Sequence, residues 1–213
     1  MSFGSVLGSD KRMLRSRSGD AVKLNDLLDE AVKRAAKAVE DKNPALGKEE
    51  RAEVARMVGI GAVKYADLST DRIRDYVFDW DRMLAFDGNT GPYLQYARVR
   101  CLSIFRRGGV DSAVYETGEV PFVLAEAAER DLALALSAYP QAIQSAIDTW
   151  SPHKVCSYLF DLAGVYTTFF ETCPVLKADD PAVRDSRLAL CALTASVLEA
   201  GLSVLGIEVP DRM

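Results

Sequence analysis

The chain has 213 residues, of which 49% are hydrophobic and 27% charged, and its formal net charge is -5. These proportions match ordinary globular usage and speak against intrinsic disorder and against a membrane protein; no apolar run approaches the roughly 20 residues that cross a bilayer. The acidic balance excludes a general nucleic-acid coat, which binds through a broad basic surface, so any RNA contact must be local. The length fits one large helical domain or two small ones, and Met1–Gly8 lacks the charged start and apolar stretch of a signal peptide, so a cytoplasmic protein is expected.

Residues 1–19, rich in Gly, Ser, Lys and Arg, read as a short strand followed by an exposed basic loop. From Leu24 onward the pattern changes: Leu24, Leu27, Leu28, Ala31, Val32, Ala35, Ala38 and Val39 recur at three and four, the one-sided stripe of an amphipathic helix that Asn43-Pro44 ends. A second helix is predicted over 48–64, with Gly59 and Gly61 marking a close backbone approach. Over 67–86, Tyr76, Phe78 and Trp80 alternate as in a strand, whereas Ile73, Val77, Trp80 and Leu84 keep helical spacing; helix is the reading adopted. Gly88-Asn89-Thr90-Gly91 is a turn, Pro92 suits the first turn of a helix reaching Arg107, and Gly108-Gly109 supplies a left-handed stop. After a loop over 110–118, helices are predicted over 121–138, 140–150, 152–172 and 181–205. Ser151 and Asp180 are placed as caps ahead of Pro152 and Pro181, and Gly206 as an exit. The fold class is all-α.

Few residues carry obvious chemistry. Cys101, Cys156, Cys173 and Cys191 lack the paired spacing of a zinc or redox motif and read as buried reduced thiols. His153, the sole histidine, opens a predicted helix and reads as a packing residue, which leaves no basis for a serine hydrolase or a multi-histidine metal site. Asp79 and Asp81 flank Trp80 but do not share a helical face, and Gly59-Ile60-Gly61 is only a fragment of a phosphate loop. The helix from Pro92 is more informative. At about 100° per residue, Tyr93, Tyr96, Arg100 and Arg107 share one arc while Leu94, Ala97, Cys101, Leu102 and Phe105 share another. Two rings and two guanidinium groups on one side suit stacked bases and phosphates, although packing and solvation alone would produce the same pattern. Tyr158, Phe160, Tyr166, Phe169 and Phe170 form a second aromatic cluster, mostly core.

The segment FDWDRMLAFDGNTGPYLQYARVRCLSIFRR, residues 78–107, closely resembles the part of arginyl-tRNA synthetases that leads into their anticodon-binding domain. FGSVLG with RSRSGDAVKLNDLLDEA near the start, PHKVCSYLFDLAGVYTTFFETCPVL in the middle and the terminal GIEVPDRM agree in the same order, so the resemblance covers essentially the whole chain. It implies the helical bundle of class I aminoacyl-tRNA synthetases over 91–213, a helical connector over 21–90, and over 1–20 a remnant of the catalytic domain. The ATP-side signature loop falls on Arg12, Arg15, Ser16, Arg17 and Ser18. Where many relatives carry lysine at the first two of these, this chain carries arginine, which keeps the charge but not an amine.

The same resemblance implies binding of the arginine tRNA anticodon stem-loop through Tyr93, Tyr96, Arg100, Phe170 and Met213, with Arg107 added from the arc above. Where some relatives have tyrosine at Phe170, stacking survives but a hydroxyl contact does not. ATP with magnesium serves the parent enzyme. The chain shows no histidine-rich ATP signature, arginine pocket or N-terminal tRNA-elbow domain, so it is expected to bind tRNA without charging it, to hold no cofactor or metal, and to depend on the remaining domains for catalysis. The competing expectation is a helical protein-interaction module, a monomer or weakly self-associating, whose bare surface over 23–86 meets a partner.

Overall fold

A computed structural model describes residues 3–8, 12–13 and 23–213. The basic loop positions Arg15, Ser16, Arg17 and Ser18 lie outside the described residues. Strand β1 (Val6–Leu7) pairs in parallel with β2 (Tyr76–Val77), Val6 opposite Tyr76 and Leu7 opposite Val77. Between them in sequence stand two long helices, α1 (Leu24–Lys42) and α2 (Lys48–Leu68). The five-residue turn folds them back on one another, so that Ala31, Ala35 and Val39 bury against the stripe of Val54, Ala55, Val58 and Ala62. Gly59 makes this possible: a Cβ there would stand 2.7 Å from Val32 N and 2.8 Å from Ala31 O, so only glycine lets the two helices come this close.

The region 67–86 departs from the helical expectation. Helix α2 runs on to Leu68, the chain then extends through β2, and only the single turn α3 (Trp80–Met83) is helical. The alternation of Tyr76, Phe78 and Trp80 decides the outcome because a distant strand, β1, supplies the ladder hydrogen bonds; Phe78 N donates to Leu7 O at 2.8 Å. Asp79 has a plain structural task, its carboxylate accepting from Asp81 N and Arg82 N at 3.0 and 3.1 Å as the cap of α3.

The remaining helices are α4 (Gly91–Gly108), α5 (Ala113–Glu116), α6 (Ala127–Ser137), α7 (Tyr139–Thr149), α8 (His153–Thr172) and α9 (Pro181–Val204). Thr90 caps α4, accepting from Tyr93 N, and Gly109 closes it at φ 60°. Asp180 caps α9 as expected, and Gly206 leaves it at φ 70°. Ser151 does not cap α8; its hydroxyl turns back to Thr149 O because Trp150, at φ 53°, has already reversed the chain. Residues 121–126 are extended rather than helical, pinned by Ser186 Oγ, which bonds both Val123 N and Val123 O, before Glu126 and Glu129 form the capping box of α6.

The main core lies where α4, α8 and α9 meet, with α6 and α7 packed on α8. Helix α9 alters the reading of the apolar runs. It is long and apolar enough by length and composition to cross a bilayer, but 67% of its apolar window is buried among its neighbours. One ion pair sits inside this core: Arg187 Nε meets the wholly buried Glu129 carboxylate at 2.6 Å and Arg187 Nη1 donates to Pro174 O at 2.9 Å, tying α6, α9 and the α8–α9 loop together. All four cysteines are free and buried, and burial pushes the Cys101 and Cys156 thiols up to about 12, so they stay protonated.

Candidate nucleic-acid interface

Helix α4 divides its residues between two jobs. Leu94, Ala97, Cys101, Ile104 and Phe105 enter the core. Tyr93, Tyr96 and Arg100 are half-buried along one flank and Arg107 is exposed at the last turn, so the arc drawn from the sequence exists as a surface. Each ring is held from behind. Tyr93 leans on Phe160 of α8 with centroids 5.7 Å apart, and Tyr96 stands edge-on to Phe86 at 6.4 Å and 88°. Such contacts fix a ring's plane while leaving its outer edge and part of a face open.

The cations on this flank are poised differently from those on the other. Arg100 lies 4.8 Å above the Phe170 ring, and neither it nor Arg107 has an ion-pair partner among the described residues. Arg107, Phe170 and Lys177 border a cavity of about 200 Å³ floored by Ile104, Pro174, Val175 and Leu176. Arg98, on the opposite flank and 8% exposed, is neutralised: it meets Glu199 at 2.8 Å, Asp211 Oδ1 at 3.1 Å and Pro210 O at 3.1 Å. Arg106 donates to Asp211 O at 3.1 Å.

Arg98 and Arg106 thus hold the segment 205–213, which crosses the seam between α2 and α4. Gln95, fully buried, donates to Glu208 O at 2.7 Å and Met57 O at 3.1 Å; Arg56 pairs with Glu208; Asn43 Nδ2 reaches Met213 O at 3.4 Å. Met213, expected from the resemblance to offer tRNA an apolar side chain and its terminal carboxylate, has that side chain turned inward. It is 8% exposed and packs in a second core with Val39, Val54, Val58 and Val99, against the underside of Tyr96, because this seam is where apolar surface remains to be covered. Arg12 is described, but its companions in the signature loop are not.

Lys42 and Phe86, which the sequence pattern did not single out, also border this flank. Lys42 Nζ, at the end of α1, stands 4.7 Å from the Phe86 centroid and 5.2 Å from that of Tyr96. Phe86 lay inside the quoted motif without a periodic signal, and nothing in α1 alone points its last lysine at a helix some fifty residues away. His153 is half-buried at the first turn of α8, and its Nδ1 has no hydrogen-bond partner among the described residues. The described residues include no group of three or more His, Cys, Asp or Glu able to hold a metal.

A family model described as the DALR anticodon binding domain matches residues 94–213. The chain belongs to that family. The model for the class I tRNA synthetase (R) catalytic domain matches residues 1–80, ahead of the DALR region. Among curated relatives, the arginine–tRNA ligase of Thermobifida fusca is 56% identical over 211 residues, and that of Klebsiella pneumoniae (strain 342) 49%; each match takes in 99% of this chain and 36% of the relative. The chain therefore spans about a third of the length of the curated relatives it matches. Among solved structures, Thermus thermophilus arginyl-tRNA synthetase superposes with a TM-score of 0.86 at 33% identity, over 100% of this chain and 35% of that one. The Plasmodium falciparum arginyl-tRNA synthetase gives 0.80 at 28% identity, over 99% and 34%. The DALR match and these superpositions agree with the all-α expectation.

Proposed function

We propose that this chain is the anticodon-reading part of an arginine–tRNA ligase, in which residues 91–213 form the reading bundle, 21–90 the helical connector and 1–20 the end of the catalytic domain. The reading rests on one observation above all: Tyr93 and Tyr96 stand half-open on one flank of a DALR helix, backed by Phe160 and Phe86, with Arg100 and Arg107 beside them and unpaired among the described residues. Unpaired RNA bases stack on such rings while guanidinium groups take the phosphates. Phe170 offers a further ring, and Met213 serves from beneath by fixing Tyr96. The flank is local and cationic within an acidic chain, which favours a specific stem-loop over nucleic acid in general.

Binding of an arginine tRNA transcript, compared with one whose anticodon is changed, tests this. The changed transcript is expected to bind about 1–3 kcal/mol more weakly for each stacked base lost, and all binding to fall steeply with salt. Equal affinity for every tRNA overturns the reading. Arginine activation with ATP and magnesium belongs, on the same proposal, to the longer enzyme; Arg12 and the loop positions after it supply phosphate-side charge only when the rest of that site is present, so the chain alone forms no arginyl-adenylate. Exposed Phe3, Leu24, Ile73 and Val77, all in the catalytic-domain match, favour a second role as the contact face for that remainder. Concentration-dependent light scattering reads any self-association through it.

A further inference from the structure

We infer that Lys42, on α1 and outside the residues matched by the anticodon-binding family, is an RNA-contacting residue of the same surface, so that the reading site spans both parts of the chain. The inference rests on the function proposed above and extends it to a side chain within the catalytic-domain match.

The ammonium of Lys42 is exposed and stands over two aromatic rings set nearly perpendicular, 4.7 Å from Phe86 and 5.2 Å from Tyr96, with no carboxylate within ion-pair distance among the described residues. Other cations of this chain that lie near carboxylates are paired with them: Arg34 over Trp80 also meets Glu30, Arg51 meets Glu40, and Arg56 meets Glu53 and Glu208. Lys42 instead shares its situation with Arg100, among the described residues the other unpaired cation resting on a ring beside the tyrosine flank. A ring face attracts an ammonium through its quadrupole without using up its N–H donors, whereas a carboxylate occupies them. Lys42 is thus held in place and still has hydrogen bonds to give. A base stacked at Tyr96 brings its own phosphate and sugar alongside, and this ammonium, 5.2 Å from the Tyr96 centroid, is a free donor there.

The position is also built rather than incidental. Asn43 next to it holds Met213 O, and Met213 packs beneath Tyr96, so the end of α1, the 205–213 segment and the reading ring form one connected support. If the cation only braced Phe86 and Tyr96, its removal would loosen the rings without changing how binding responds to salt. A phosphate contact releases counterions, so its loss lowers the salt slope by roughly one contact.

The test uses the whole chain and an arginine tRNA anticodon stem-loop, titrated at several salt concentrations. Lys42→Met keeps the apolar stem and removes the charge; Lys42→Arg keeps the charge; Lys37→Met makes the same charge change at an exposed position on α1 away from the rings. Lys42→Met is expected to weaken binding about five- to tenfold with a shallower salt slope, Lys42→Arg to stay near wild type, and Lys37→Met to change affinity less than about twofold. Unchanged affinity in Lys42→Met, or a loss with an unchanged salt slope, overturns the inference while wild type still binds. Failure of wild type to bind the stem-loop overturns the underlying reading instead. Thermal melting of each variant confirms that folded protein is compared.

Discussion

Arg98 and Arg100 stand two residues apart on α4, yet one is a structural strut and the other a free cation. Arg98 is surrounded by Glu199, Asp211 and a backbone carbonyl, whereas Arg100 rests on a phenyl ring with no ion-pair partner among the described residues. The difference teaches how to find a binding surface in an acidic chain: by the neutralisation of each charge more than by its presence. A cation already satisfied by carboxylates adds rigidity and little attraction for RNA; one held by an aromatic ring keeps its donors.

Substitutions can break this contrast or sharpen it. The largest effect is expected at Arg187, the most enclosed strut, since Arg187→Met strands the fully buried Glu129 carboxylate; unfolding by denaturant should register a loss of about 3–5 kcal/mol with RNA selectivity intact in the folded fraction. Arg98→Met should destabilise less, by about 2 kcal/mol, because its partners Glu199 and Asp211 stay solvated when it leaves. If Arg98→Met instead left stability untouched and weakened RNA binding, the division of α4 into two flanks would be wrong. Tyr96→Ala should act the other way, lowering affinity for the stem-loop by about 1 kcal/mol, the low end of the stacking range because part of the ring already faces Phe86.

The smallest effect concerns acid. Hydrogen bonds from Arg56 hold Glu53 and Glu208 below their ordinary carboxylate value of 4.5. Folded-state pKa values below the unfolded ones mean that this contribution is present above about pH 4.5 and is lost as pH falls through the lowered values. Both carboxylates are exposed, so Arg56→Ala should only slightly flatten the acid limb of a pH–stability curve.

Much of the α4 flank was legible in the sequence because helical periodicity is local: eighteen residues suffice to sort Tyr93, Tyr96, Arg100 and Arg107 from Leu94, Ala97 and Cys101. The cap at Asp180 and the exits at Gly109 and Gly206 were equally readable, since each depends on its own side chain or φ. Apart from the Ser151 cap, lost to the local reversal at Trp150, the failures share one physical cause. β2 needed β1, about seventy residues earlier; Lys42 needed Tyr96; the extended stretch before α6 needed Ser186; and Met213 needed the α1–α2 hairpin. In each case a partner distant in sequence decided the outcome, and no periodic signal records it.

The bonds of Gln95 to Glu208 and of Asn43 to Met213 bridge sequence separations of 113 and 170 residues. Closing loops of that size carries an entropic cost that local helices do not bear, and topology of this kind slows assembly. Helix α4 can therefore form early, presenting Tyr96 on a wobbling base, and the proposed reading surface is complete only after the final nine residues dock. Maturation of RNA affinity during refolding would then lag behind the recovery of helical circular dichroism, and the lag would report the docking step itself.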